Sequence, residues 1–174
     1  MGELAPVLRP ALMAAMGPEG DLVELREQRR SRCFVATRGQ GILGYGWLSE
    51  QVEWIGEIRL EIVPADGEAY LWNCVTVPAH RRTGIFTSLL ISVAGRLQAR
   101  GLSRLWIASA GGAEKALANA GYTRVLQLGE TRLLGLRRLT VKPAAGADPE
   151  LVEPAFAVLR FEPKVGRLPP ARRH

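Results

Sequence analysis

The chain changes its hydrophobic period abruptly at Pro78. Residues 69–77 form an almost continuous apolar run, which predicts a central strand covered on both faces. Beyond Pro78 the apolar residues recur at three- and four-residue steps, which predicts an amphipathic helix from about Gly84 to Arg100 that Gly101 ends. A buried strand, a turn and an amphipathic helix in this order indicate an α/β protein.

The segments on either side extend this pattern. We predict helices at 3–16, 20–30 and about 111–120, and further strands at 33–37, 42–48, 57–62, 105–108, 122–128 and 133–141. A strand–helix–strand unit is normally a right-handed parallel crossover, whereas the paired strands around it suit hairpins. The expected fold class is therefore α/β, with a mixed, mostly antiparallel sheet of about seven strands and helices on both faces.

A length of 174 residues suits one domain. We expect that domain at 1–142, with its core motif at 69–122. A Pro-, Gly- and Ala-rich C-terminal extension follows at 143–174, with one helical turn near 154–159 and a mobile basic tail. No run approaches the roughly 18 apolar residues of a membrane span, and prolines interrupt the apolar N-terminal stretch, so a cytoplasmic protein without a membrane partner is expected.

Charge and cysteine content narrow the function classes. Two cysteines and two histidines make neither a disulfide framework nor a zinc site, and we expect no metal. The net charge of +6 favours an anionic partner, either nucleic acid or a phosphorylated cofactor. Nucleic acid is disfavoured because no helix-turn-helix, zinc pattern or aromatic RNA platform is visible. Oligomeric state stays open, with a homodimer among the options.

The turn between the strand and the helix is rich in positive charge. A helix N-terminus presents unpaired amide N–H groups and favours anions. Gly84 leaves room for a ligand, and Arg81 and Arg82 add charged donors. These features predict a pyrophosphate site; the alternative is that Gly84 merely starts a helix while the arginines are solvated.

At this point the residues resemble the GNAT superfamily of N-acetyltransferases, whose motif is V-x-P-x-x-R-G-x-G-I-G-x-x-L-L. The matching residues are Pro78, Arg81, Gly84, Ile85, Leu89 and Leu90. Arg82 and Phe86 replace two of the family's glycines, and Val77 lies one place nearer the proline than the family's valine. The element order and Gly121-Tyr122, which looks like the family's G-F pair, extend the resemblance to about residues 30–140.

The resemblance implies acetyl-CoA as co-substrate. The residues expected to bind it are Cys74, Val75 and Thr76 on the strand, beside the pantetheine, and Arg81, Arg82, Thr83, Gly84, Ile85, Phe86 and Thr87 at the turn, around the pyrophosphate. Arg82 is compatible with this site if its φ is negative and its side chain points outward. Phe86 is compatible if its side chain turns into the core.

The catalytic residues are less well defined by the resemblance. Leu117 stands where many relatives have the tyrosine that protonates the leaving thiolate. One strand face, counted back from Thr76 through Cys74 and Trp72, gives Tyr70 or Glu68, acting through a water, as the candidate base. The reserve candidates are Glu57 and Glu61. The alternatives are core aromatics for Tyr70 and Trp72 and a solvated strand face for the reserve glutamates. His80 is expected to pack against the turn.

The implied activity is that of a small bacterial-type N-acyltransferase. It would move an acetyl group from acetyl-CoA to a primary amine of a small molecule or peptide, by direct attack in a ternary complex. The alternative is a CoA-binding regulatory module with weak or no transfer, which Leu117 and Phe86 motivate.

Overall fold

The computed structural model describes residues 1–56, 59–109, 111–133 and 136–161. Its helices are α1 (Arg9–Met16), α2 (Val23–Gln28), α3 (Ile85–Ala99), α4 (Glu114–Asn119) and α5 (Pro149–Ala157). Its strands are β1 (Gly2–Glu3), β2 (Arg32–Arg38), β3 (Gly41–Ser49), β4 (Glu53–Ile55), β5 (Leu60–Ile62), β6 (Glu68–Thr76), β7 (Arg104–Ile107), β8 (Leu126–Leu133), β9 (Leu136–Pro143) and β10 (Leu159–Phe161). None of the helices in these ranges has the length and apolar character that crossing a membrane requires.

A five-stranded sheet in the order β1-β2-β3-β6-β7 organises the chain. Its neighbours pair antiparallel except β6 and β7, which run parallel on either side of the α3 crossover. The remaining strands form a three-stranded sheet, β10-β5-β4, and the β8–β9 hairpin. The mixed, mostly antiparallel arrangement is confirmed, with the strands divided among three sheets.

Helices cover both faces of the five-stranded sheet, as the hydrophobic pattern predicts. Leu12, Met16 and Val23 from the α1–α2 side pack with Trp47 in one buried cluster. On the opposite face, α3 buries its apolar stripe against the sheet with Leu89, Leu90, Val93 and Leu97. This spacing of three and four residues places the four side chains along one side of the helix.

The N-terminal segment differs from the continuous helices predicted for it. The chain begins with β1, which pairs with β2, and short 3-10 turns at Pro6–Leu8 and Gly17–Leu22 flank α1. Pro6, Pro10 and Pro18 lack the amide hydrogen that a helix interior uses, so each stands at the beginning of a new helical segment.

The C-terminal part described contributes to the fold. A helix at Pro149–Ala157 replaces the single turn predicted near 154–159, and the Asp148 side chain caps it by accepting a hydrogen bond from the Glu150 amide. β10 then pairs with β5. The strand predicted at 57–62 is shorter in the structure, Leu60–Ile62; residues 57 and 58 lie outside the described residues, as does the basic tail from 162 onward.

Candidate functional site

The parallel strands β6 and β7 differ in length, and β6 continues beyond the end of β7. Their pairing joins Glu68–Leu71 to Arg104–Ile107, whereas β6 continues to Thr76 with only β3 beside it. The backbone of residues 72–76 is therefore unpaired on its β7 side, and we call the space along this open edge, beyond the end of β7, the β6–β7 cleft. Unpaired strand edges offer N–H and C=O groups to a ligand that can add alongside them.

A β-bulge at Asn73 lies where this cleft begins. Asn73 has a φ of 44°, and the β3–β6 register gains one residue on β6 between its pairing to Trp47 and its pairing to Tyr45. The bulge changes the face on which side chains emerge. Trp72 packs against the α1–α2 cluster, whereas Cys74 packs against the α3 side. The prediction that Trp72 and Cys74 share one strand face is therefore wrong.

The turn after β6 leaves a run of amide groups unpaired. The first helical hydrogen bond of α3 runs from the Ser88 amide to the Gly84 carbonyl, at 3.0 Å. Within the described ranges, no backbone hydrogen bond is formed by the amides of residues 82–87. The predicted binding segment thus combines free donors with the positive end of a fifteen-residue helix.

Two residues of this turn adopt left-handed backbone conformations. Gly84 has a φ of 80°, and a Cβ built on it would meet no atom of the chain within 4 Å. Arg82 has a φ of 62°, so the condition of a negative φ is not met: the arginine keeps the left-handed conformation that favours glycine, at a backbone cost of about 1–2 kcal/mol. Its side chain is exposed, as expected, and Phe86 packs against the α3-side core.

Side-chain contacts hold the turn in place. The Thr83 hydroxyl donates to the His80 carbonyl at 2.6 Å, and Arg81 Nε donates to the carbonyl of Thr76, the last β6 residue, at 3.5 Å. His80 itself is half-buried in a short 3-10 turn. Arg81 and Arg82 are both solvent-exposed, so two positive charges flank the segment of free amides.

Glu68 is buried and hydrogen-bonded to side chains of the neighbouring strand β7. Only 4% exposed, it accepts hydrogen bonds from Arg104 Nη1 at 2.8 Å and from Trp106 Nε1 at 2.7 Å. Burial acts to raise its pKa, but the bonds from Trp106, Arg104 and the Ala65 amide outweigh burial and hold the pKa below the ordinary value. These contacts favour a structural carboxylate over a base.

Tyr70 and Glu61 are also engaged in contacts within the fold. Tyr70 is buried with Leu60 and Ile62 in the paired part of β6, opposite Trp106. Glu61, on β5, forms an ion pair with Arg160 at 3.8 Å. Glu57 lies outside the described residues.

Glu19, which the sequence did not single out, contacts the bulge directly. It lies in the 3-10 turn between α1 and α2, and its Oε2 accepts from Asn73 Nδ2 at 2.9 Å and from Arg26 Nη2 at 2.7 Å. The Arg26 hydrogen bond is the main cause of a lowered pKa for Glu19, which burial opposes and Asn73 reinforces. An ionised carboxylate, 53% exposed, therefore stands beside the bulge at Asn73.

Tyr122 lies on the opposite side of the bulge. Its hydroxyl is buried without a hydrogen-bond partner in the described part of the chain, and it packs on the α3-side core together with Cys74 and Leu117. Burial and the nearby Cys74 raise its pKa, so the hydroxyl is protonated at neutral pH. Burial also raises the pKa of Cys74 to about 12, which keeps that thiol neutral.

Comparisons with known proteins match this chain to one family and one fold. The model of the Acetyltransferase (GNAT) family matches residues 7–126. A Trypanosoma brucei acetyltransferase superposes with a TM-score of 0.53 at 13% identity, covering 75% of this chain and 95% of its own. The aminoglycoside N-acetyltransferase AAC(6')-Iy, solved with CoA, gives 0.53 at 12% identity, covering 70% and 89%.

A further aminoglycoside 6'-N-acetyltransferase, AAC(6')-IG from Acinetobacter haemolyticus, gives a TM-score of 0.51 at 12% identity and covers 70% of this chain and 88% of its own. No curated protein matches the sequence. At these identities the structural matches show a shared fold.

Proposed function

This chain belongs to the GNAT family of acetyltransferases, and we propose that it transfers the acetyl group of acetyl-CoA to a primary amine. The observation that carries the proposal is the run of unpaired amides at residues 82–87, which a short turn at Pro78–His80 connects to the open edge of β6. A pyrophosphate needs donors in such a cradle, and the thioester arm needs an apolar edge to lie along. The CoA bound in the AAC(6')-Iy structure supports the same choice of ligand.

The cofactor would occupy the segment predicted from the sequence. The amides of residues 82–87 bind the diphosphate, and Arg81 and Arg82 supply positive charge at its exposed side. The free β6 edge at Cys74–Thr76 pairs with the amides of the pantetheine arm. This arrangement directs the thioester toward the bulge at Asn73.

Transfer needs a proton acceptor for the amine and a proton donor for the leaving thiolate. The amine nitrogen attacks the thioester carbonyl carbon and forms the new C–N bond, while the C–S bond breaks. We assign the proton acceptor to Glu19, acting directly or through a water, because it is ionised and exposed beside the bulge. Tyr70, one of the two bases predicted from the sequence, is the alternative acceptor.

We assign the proton donor to Tyr122, whose buried hydroxyl lies on the Cys74 side of the bulge. It would take the place of the tyrosine that Leu117 replaces. The thiolate receives the phenolic proton, and solvent restores it after the products leave. Both Leu117 and Tyr122 pack on the same core cluster, which supports an exchange of roles between neighbouring positions.

Release of free CoA thiol from acetyl-CoA across an amine panel tests the proposal. We expect thiol release above the buffer rate with at least one class of amine, together with a mass gain of one acetyl group on that amine. Binding of CoA in calorimetry without any such release would instead support a regulatory CoA-binding module. Absence of both binding and release would contradict the proposed function.

A further inference from the structure

Three buried N–H donors without partners lie together on the α1–α2 side of the bulge. They are Arg26 Nη1, Trp47 Nε1 and Trp72 Nε1, and none has a hydrogen-bond partner in the described ranges. The Arg26 guanidinium carbon is 5.2 Å from the Trp47 ring centroid and 4.8 Å from that of Trp72, and the two centroids are 6.2 Å apart. Buried donors are nearly always paired, so a cluster of three calls for an occupant.

The cluster of three donors adjoins Glu19, the carboxylate that we assign as the proton acceptor for the substrate amine. Arg26, 11% exposed, donates through Nη2 to Glu19 Oε2, and Asn73, next to Trp72, donates to the same oxygen. No hydrogen bond to Glu19 Oε1 is formed within the residues that the structure describes. An exposed negative group thus stands beside a cluster of unsatisfied buried donors.

We propose that the acceptor is an amine with a carboxylate close to its nitrogen, as in an amino acid; this rests on the proposed function. A carboxylate only accepts hydrogen bonds and offers about four lone-pair sites, which suits one guanidinium N–H and two indole N–H groups. Glu19 attracts the ammonium end. The charges of Arg26 and Glu19 cancel, and a bound zwitterionic amino acid leaves the net charge of the site unchanged.

The same contacts predict that simpler amines are poor acceptors. An amine without the carboxylate leaves Arg26 Nη1 and both indole N–H groups unsatisfied in a buried setting. Sites built to hydrogen-bond a substrate group discriminate strongly against analogues that lack it. We therefore expect kcat/KM to be at least about 100-fold higher for an amino acid than for its decarboxylated amine.

The test compares amino acids with their primary amides and decarboxylated amines, using acetyl-CoA and CoA-thiol release. Trp72→Phe removes one N–H and keeps an aromatic ring, and we expect it to reduce the preference for the acids about tenfold. Trp54→Phe is the matched control, because Trp54 is 48% exposed and lies on β4, outside the cluster. A second readout is the change of tryptophan fluorescence when each compound is added to the CoA-bound protein.

The proposal is overturned if amides and amines are acetylated as fast as the acids, or if Trp72→Phe and Trp54→Phe change the preference equally. It is also overturned if the amino acids change the fluorescence of the CoA-bound protein no more than the amides do. The comparison of acids with amides uses the native protein, so it stands even where Trp72→Phe folds poorly. CoA binding with unselective transfer would refute this inference alone, whereas loss of CoA binding would refute the proposed function.

Discussion

Replacing Gly84 by alanine distinguishes an effect on cofactor binding from an effect on folding. Gly84 has a φ of 80°, and its added Cβ would meet no atom of the chain within 4 Å, so the folding cost is confined to the backbone. That cost is about 1–2 kcal/mol for a left-handed residue. At roughly 2–4 °C per kcal/mol for a protein of this size, Tm falls by about 2–8 °C.

Gly101 provides a matched control for this substitution. It follows α3 with a φ of 83°, and its Cβ would also meet nothing within 4 Å. Gly101→Ala should therefore lower Tm by a similar amount. It lies beyond the opposite end of the helix from the turn, so CoA binding should be unaffected.

The assay is isothermal titration of each variant with CoA and with pantetheine, which lacks the pyrophosphate. The methyl group of Gly84→Ala enters the space assigned to the phosphates, so we expect at least a tenfold weaker CoA affinity, about 1.4 kcal/mol. Pantetheine affinity should change little in either variant. Equal CoA affinities for Gly84→Ala and Gly101→Ala would refute the assignment of the turn to the pyrophosphate.

Three further substitutions test the roles of individual side chains. Glu68→Gln should lower the free energy of unfolding by about 1–3 kcal/mol at pH 7, since it weakens a buried contact with Arg104. The pKa of Glu68 is lowered in the folded protein, so the stability that its charge contributes is lost as the carboxylate becomes protonated. The difference in unfolding free energy between wild type and Glu68→Gln, measured by urea titration, should therefore narrow as pH falls below about 4, and a constant difference would contradict the ion pair. Tyr122→Phe should reduce kcat about 100-fold. Its thermal stability should be unchanged or slightly higher, because the hydroxyl has no partner in the described residues; an unchanged kcat would exclude it as the acid. Glu19→Gln should reduce kcat/KM for the amine about 100-fold without weakening CoA binding in calorimetry, and an unaltered kcat/KM would return the search for the base to Tyr70.

The sequence predicted the parts of the fold that local pattern determines. The apolar run before Pro78 and the helical spacing after it predicted the ends of β6 and α3 to within one residue. A strand buried on both faces gives a continuous apolar run, whereas a helix buried along one stripe gives apolar residues at steps of three and four. The three-residue strands β4 and β10 were not predicted. Such short strands have little period of their own and depend on pairing with β5.

The binding turn could be predicted from local sequence, whereas the assigned catalytic groups depend on contacts between distant segments. The turn lies within one contiguous segment, so its charge and glycine are visible in the sequence. Glu19 reaches Asn73 across 54 residues, and the bulge that brings them together depends on register with β3. The sequence made Glu68 a candidate base, because its partners Arg104 and Trp106 lie 36 and 38 residues away on another strand. No local sequence pattern indicates partners that are so distant along the chain.

A crystal structure of the acetyl-CoA complex tests the central claim most directly. We expect pyrophosphate oxygens about 3 Å from amide nitrogens within residues 82–87, and the acetyl carbonyl beside Asn73, between Glu19 and Tyr122. Acetyl-CoA bound with its pyrophosphate away from this turn, or with its thioester outside the β6–β7 cleft, would contradict the account.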